Sequence, residues 1–207
     1  MNVVTLSRPP AVEPTTFSAA DVRVFDNFLD ADVQAALVGF LKAPTWAFGA
    51  YSDGSPNASR YWYKHFAGYV KDGREPLTPD AIEGELQASA PMLSDIWQKI
   101  KSGVLPGHNL ARCYANGYPF GSEGGLHLDS NISSHATVIY YPHTQWHPNF
   151  GGETVFFNAE GTDIIASVYP RPNRLVVFPG IIPHVARGVT RVCPELRVTL
   201  MFKTAGS

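Results

Sequence analysis

The chain has 207 residues with 44% hydrophobic, 12% aromatic and 16% charged residues and a formal net charge of -2. That is enough apolar material for one domain with a sizeable core, and the charge gives no basic footprint of the kind nucleic-acid binding needs. No uninterrupted apolar stretch approaches the length of a membrane span, and the N-terminus lacks a charged region followed by an apolar core, so the expectation is a cytoplasmic protein with neither a membrane helix nor a signal peptide.

Residues 1–17 contain Pro9, Pro10 and Pro14 and show no periodicity, which reads as a mobile lead-in to a single domain spanning 1–207. Val22 to Leu29 alternates as a strand. A helix then starts at Asp30 or Asp32 and runs to about Lys42, with Val33, Leu37, Val38 and Leu41 on one face and Pro44 beyond its end. The stretch from Trp46 to Phe66 is rich in aromatic residues and interrupted by Ser, Gly, Asn and Pro. Loops of this kind carry binding residues over a rigid scaffold, and aromatic packing against the core accounts for them equally well. Thr78-Pro79 forms an N-cap and first-turn pair for a second helix, while Pro91 divides the next apolar pattern into two helical pieces ending near Gly103. Residues 18–109 thus combine helical support with substrate loops.

From Leu110 the texture changes to short runs rich in Val, Ile, Tyr, Phe and Thr, punctuated by Gly and Pro. Strands at this spacing point to a mainly β sandwich or barrel with supporting helices, and a jelly roll, the double-stranded β-helix, is one of the few ways to close them. Cys113 and Cys193 are too few for a disulfide framework and read as reduced structural thiols.

Within this β half, the most informative pattern is His127-Leu128-Asp129, followed by His184 and then Arg197. Residues two apart on an extended segment point the same way, so His127 and Asp129 can face one ion. A second imidazole from His184 completes a 2-His-1-carboxylate face, which suits Fe(II) and leaves positions open for a co-substrate and O2. With 7 His and 10 Asp in the chain, about 0.3 His-x-Asp pairs arise by chance, so context must carry the assignment. In Leu196 to Phe202, alternation puts Arg197, Thr199 and Met201 on one face and Leu196, Val198, Leu200 and Phe202 on the other. A buried Arg calls for an anion, and its planar fork suits a carboxylate. Arg187 is three positions from His184 and points to the opposite face, and Arg191 falls in a connection. The remaining histidines, His65, His108, His135, His143 and His147, have no ligand spacing and read as structural or solvent-facing, and Glu153 reads as the start of a strand after a glycine turn.

The context is ordered over Leu110 to Lys203: Arg112-Cys113-Tyr114-Ala115-Asn116-Gly117, the His127/Asp129 pair, Thr137-Val138-Ile139-Tyr140-Tyr141, Gly151-Gly152-Glu153-Thr154, Asn173 to Pro179, Pro183-His184 and Leu196-Arg197-Val198-Thr199. In that order these segments resemble the Fe(II)- and 2-oxoglutarate-dependent dioxygenases, particularly the prolyl-hydroxylase-like branch. The resemblance independently implies the double-stranded β-helix fold over a catalytic core of 110–203, with Fe(II) held by His127, Asp129 and His184 and with 2-oxoglutarate and O2 as co-substrates. It also implies that Arg197 grips the distal carboxylate of 2-oxoglutarate, that Tyr141 donates its hydroxyl to the same group, that Tyr114 lies close by, and that Thr199 stands in place of the family's Arg-x-Ser hydroxyl. Related halogenases carry Gly or Ala where Asp129 stands, so hydroxylation of an unactivated C–H bond is the implied outcome. A small metabolite, a free amino acid and a peptidyl side chain all remain open as substrates. The rival readings are a cupin-like metalloenzyme that does not use 2-oxoglutarate and a catalytically silent sensor or interaction protein on the same scaffold.

Overall fold

Asp30 stands in extended backbone at the head of helix α1 (Ala31–Lys42), whose Leu37, Val38 and Leu41 are buried as the periodicity predicts. In the computed structural model, which describes residues 16–52, 59–69 and 77–206, two further helices follow. Thr78 Oγ1 accepts from the Ala81 amide at 3.3 Å and Pro79 opens α2 (Pro79–Ser89), and Pro91 opens α3 (Pro91–Gly103). Both prolines sit where the missing N–H has no intrahelical partner in any case. Among the described residues, no helix is long and apolar enough to cross a membrane.

The remainder is sheet. Strands β1 (Arg23–Asp26), β2 (Ala47–Ala50), β3 (Tyr61–Ala67), β4 (His108–Tyr118), β5 (His135–Tyr141), β8 (Arg174–Pro179) and β10 (Arg197–Gly206) form one sheet in the order β1-β8-β5-β10-β4-β3-β2. A second sheet has the order β7-β6-β9, from β6 (Thr154–Phe157), β7 (Ile164–Val168) and β9 (His184–Ala186). A reciprocal backbone pair between His127 and His184, at 3.1 and 3.0 Å, adds one more rung to this second sheet. From β4 onward the chain passes repeatedly between the two sheets, which is the winding of a double-stranded β-helix.

Strand parity divides the large sheet into two faces. Cys113, Ala115, Val138, Tyr140, Leu175, Val177, Leu200 and Phe202 pack with Leu37, Leu86, Leu93, Trp97 and Ile100 from the helices. Each Val, Leu, Ile and Phe among them contributes roughly 1.5–3 kcal/mol on burial. The other face turns Ile139, Tyr141, Val176, Phe178 and Met201 toward Phe156, Val168 and Ile182. On β10 the same alternation sends Arg197, Thr199, Met201 and Lys203 between the sheets.

Three sequence expectations need adjustment. The first strand is shorter than Val22 to Leu29, because Asn27 takes a left-handed backbone at φ 53 and turns the chain out of the sheet. The aromatic stretch is a strand pair rather than loops: β2 and β3 extend the large sheet, with Gly49 at φ 122 where their register slips. Its physical signature is alternation, with Tyr61, Tyr63 and His65 facing the space between the sheets. Residues 53–58 of this stretch, and 1–15 of the lead-in, lie outside the described residues, while Phe17 packs against the inter-sheet core.

Candidate active site

The reciprocal backbone pair between His127 and His184 brings their rings to 4.4 Å between centroids. Each Nδ1 faces a backbone carbonyl, His127 toward Gly125 at 2.8 Å and His184 toward Ile182 at 2.9 Å. A carbonyl can only accept, so both Nδ1 atoms carry a proton and Nε2 is the atom each ring presents to a ligand. Asp129 completes the set, with Oδ1 3.4 Å from His127 Nε2 and Oδ2 3.3 Å from His184 Nε2. The three ligand atoms lie within 4.8 Å of one another. Packing fixes the buried ring of His184, since Phe178 meets it edge-on at 4.7 Å and Phe156 stacks at 6.0 Å.

Asp129 is held from behind. Its backbone amide donates to Gly180 O, Thr137 Oγ1 donates to Oδ2 at 2.7 Å, and the Lys203 ammonium contacts that same oxygen while also donating to Thr137 Oγ1 at 3.2 Å. Burial alone would raise the carboxyl pKa, but the Lys203 charge and the His184 and His127 contacts outweigh it and hold the group well below the usual carboxylate range. The carboxylate is therefore ionised and ready to ligate, and Oδ1 is the less encumbered oxygen. Burial pushes the His184 pKa down, with partial opposition from Asp129, which keeps the imidazole in the neutral form a metal requires.

At the other end of β10, Arg197 is 1% exposed. Its Nε donates to Gly152 O and its NH2 to Thr154 Oγ1 at 2.8 Å. Tyr141 shares that Thr154 hydroxyl at 2.7 Å, and the rings of Tyr118 and Tyr141 each lie 5.7 Å from the guanidinium carbon. No carboxylate pairs with Arg197 among the described residues. Gly152 has a physical reason to be glycine, since φ is +82 and an added Cβ would stand 3.0 Å from Arg197 Cδ. A single cavity of about 750 Å³ reaches Arg197, Thr199, Thr154, Tyr114, the whole triad and Lys203.

Residues 112–202 match the family model described as the 2OG-Fe(II) oxygenase superfamily. They are a domain of that superfamily. The superfamily uses Fe(II), 2-oxoglutarate and O2, and the triad fits this metal, with two imidazole nitrogens and one ionised carboxylate converging. Solved structures agree on the fold. A prolyl-4-hydroxylase from Pseudomonas putida superposes with a TM-score of 0.57 at 19% identity, covering 90% of this chain and 93% of its own. A 2OG-Fe(II) oxygenase family oxidoreductase from Burkholderia pseudomallei gives 0.61 at 16%, covering 90% and 86%. A prolyl hydroxylase from Trichoplax adhaerens, in complex with a hypoxia inducible factor oxygen degradation domain peptide fragment, gives 0.59 at 16%, covering 91% and 84%. Comparison with curated protein sequences gives no significant match.

The oxygenase fold gathers His127, Asp129, His184, Arg197, Thr199 and Tyr114 around one cavity and places Tyr141 just behind it, reaching the cavity through Thr154. Arg187 is exposed and Glu153 stays out of the ligand set. Sequence reasoning missed four residues. Thr154 and Thr137 lay in quoted motifs without a role, Lys203 continues the Arg197-Thr199-Met201 alternation by one step, and Arg112 shares the parity of Tyr114. Two histidines read as structural or solvent-facing, His65 and His135, also line the cavity. His108 and His143 are tied up elsewhere, His108 on Thr204 Oγ1 at 2.9 Å and His143 against the Trp146 ring at 4.2 Å. Cys113 and Cys193 are free thiols, and burial pushes both upward in pKa.

Proposed function

We propose that this chain is a 2-oxoglutarate-dependent hydroxylase in which His127, Asp129 and His184 hold Fe(II) and Arg197 holds the distal carboxylate of 2-oxoglutarate. The observation that carries this reading is one cavity joining a preorganised triad to a buried guanidinium that has no carboxylate partner among the described residues. With Fe(II) bound, the site supplies oxidation of a substrate C–H bond to an alcohol by O2, coupled to conversion of 2-oxoglutarate into succinate and CO2.

The protein's own residues orient and screen. Gly125 O and Ile182 O fix the imidazole tautomers, while Thr137 and Lys203 fix the rotation of Asp129. Gly152 O and Thr154 hold the Arg197 fork in place, Tyr141 anchors Thr154 from behind, and Thr199 adds a hydroxyl beside it. Tyr114 lines the wall on β4 between the two ends of the cavity. The substrate is a small metabolite, an amino acid or a peptidyl side chain, the last supported by likeness to prolyl hydroxylases, one of them solved with a peptide.

The test is anaerobic titration of the protein with Fe(II), with and without 2-oxoglutarate, followed by succinate measurement on admitting O2. A visible metal-to-ligand charge-transfer band that needs both components, and that is lost in His127→Ala and His184→Ala, is the expected result. A band that survives both substitutions overturns the metal assignment. Fe(II) binding with no response to 2-oxoglutarate would favour a metalloenzyme of another kind.

A further inference from the structure

Strand register places two cations face to face on the cavity wall. Arg112 on β4 is paired directly with Lys203 on β10, and both side chains line the cavity. Like charges opposed across an antiparallel pair are destabilising, so each calls for an anion. Lys203 has one in Asp129. Arg112 has none among the described residues. Its Nε is buried with no hydrogen-bond partner, and its NH2 donates to His65 Nε2 at 3.0 Å. The guanidinium lies over the ring of Tyr114 at 4.5 Å and near that of Tyr69 at 5.9 Å, which holds the plane without neutralising it. An acceptor at His65 Nε2 means an imidazole without a proton there, and burial together with the Arg112 charge lowers the His65 pKa to about 4, so it adds no second charge.

Position separates this cation from the co-substrate. Arg197 and Lys203 are six residues apart on one strand, roughly 20 Å at about 3.3 Å per residue, and Asp129 sits at the Lys203 end. If 2-oxoglutarate spends one carboxylate on the metal and the other on Arg197, neither is left for Arg112. This step rests on the hydroxylase reading above. We infer that Arg112 is the anchor for the primary substrate, and that this substrate is a small carboxylic acid whose carboxylate pairs with Arg112 while its reacting carbon faces the triad. A positive charge with no counter-ion among the described residues, beside a neutral imidazole, suits a singly charged carboxylate better than a doubly charged phosphate. A neutral peptide bond would leave the guanidinium without a counter-charge.

The test uses the full chain with Fe(II) and 2-oxoglutarate and a panel of the common free amino acids and short aliphatic acids, each beside its carboxamide, with phosphate monoesters and end-blocked peptides as further arms. Two signals are read: the perturbation of the anaerobic charge-transfer band and the stimulation of succinate release. At least one acid is expected to give both signals and its carboxamide neither. Arg112→Gln should raise the half-saturating concentration of that acid by ~30-fold or more, with Arg112→Lys in between, while the 2-oxoglutarate midpoint of the band stays the same. The inference is overturned if acids and carboxamides act equally, if phosphate monoesters or end-blocked peptides are preferred, if no acid gives either signal, or if Arg112→Gln shifts the 2-oxoglutarate midpoint instead. Absence of the band in the unsubstituted protein would defeat the hydroxylase reading itself, a result distinct from all of these.

Discussion

Replacing Arg197 with Ala tests the co-substrate site most directly. The side chain is 1% exposed and spends its Nε on Gly152 O and its NH2 on Thr154 Oγ1, which leaves the rest of the fork for a carboxylate. Truncating one partner of a buried, hydrogen-bonded charge pair costs on the order of 2–5 kcal/mol, so 2-oxoglutarate should bind ~30-fold to several-thousand-fold more weakly. Without the co-substrate the sign differs for the fold. Arg197 is then a buried charge with no counter-ion among the described residues, and a hydrophobic replacement of similar length removes that burden while leaving Gly152 O unpaired. Arg197→Met should therefore lose 2-oxoglutarate affinity yet unfold within about 2 kcal/mol of the unsubstituted protein. Lys at this position keeps the charge but not the bidentate geometry and should rescue only part of the loss. The assay is an anaerobic 2-oxoglutarate titration at saturating Fe(II), read by the charge-transfer band, with urea denaturation in parallel. Arg187→Ala is the control, because that side chain is exposed and outside the cavity. Equal affinity in Arg197→Ala and the unsubstituted protein, or a larger loss in Arg187→Ala, would refute the assignment.

Asp129→Ala should abolish succinate-coupled product formation while retaining some 2-oxoglutarate-dependent Fe(II) binding, and full product formation would show that the carboxylate is not required. Thr137→Val removes the 2.7 Å hydrogen bond to Asp129 Oδ2 and should weaken Fe(II) binding by ~10- to 100-fold in a metal titration, with an unchanged affinity counting against a supporting role. His143 is held neutral, its pKa pushed down to about 3 by burial and then by the charge on Arg197. The unfolded chain takes up a proton near pH 6.5 that the folded chain refuses, so this residue's share of stability is present above that pH and is lost as pH falls toward about 3. Urea denaturation of His143→Gln should accordingly show a shallower fall in stability between pH 7 and pH 5 than the unsubstituted protein, and equal slopes would refute the linkage. Asn173→Ala removes a left-handed residue whose side chain bonds both the amide and the carbonyl of Leu29 at 2.8 Å and the hydroxyl of Tyr140 at 2.9 Å. A loss of about 2–4 kcal/mol is expected from three bonds and backbone strain, measured by the same denaturation, and a change below about 0.5 kcal/mol would show the corner is not held there.

The sequence by itself determined whatever depends on local spacing. The two-residue step from His127 to Asp129 and the alternation through Arg197 and Thr199 follow from the pleat, which gives every second residue the same face whatever surrounds it. The three helices followed from apolar periodicity with Asp30, Thr78-Pro79 and Pro91 at their starts, and those local signals survived in the fold. Tertiary structure alone decided what depends on pairing between distant strands. Nothing local says that Lys203 opposes Arg112 or that Thr154 lies between Tyr141 and Arg197, because register between strands is fixed by the packing of both faces of the sheet. The aromatic stretch shows the boundary between the two. The alternation of Tyr61, Tyr63 and His65 was present in the chain, but only pairing with β4 turned it into a wall of the site and brought His65 onto Arg112.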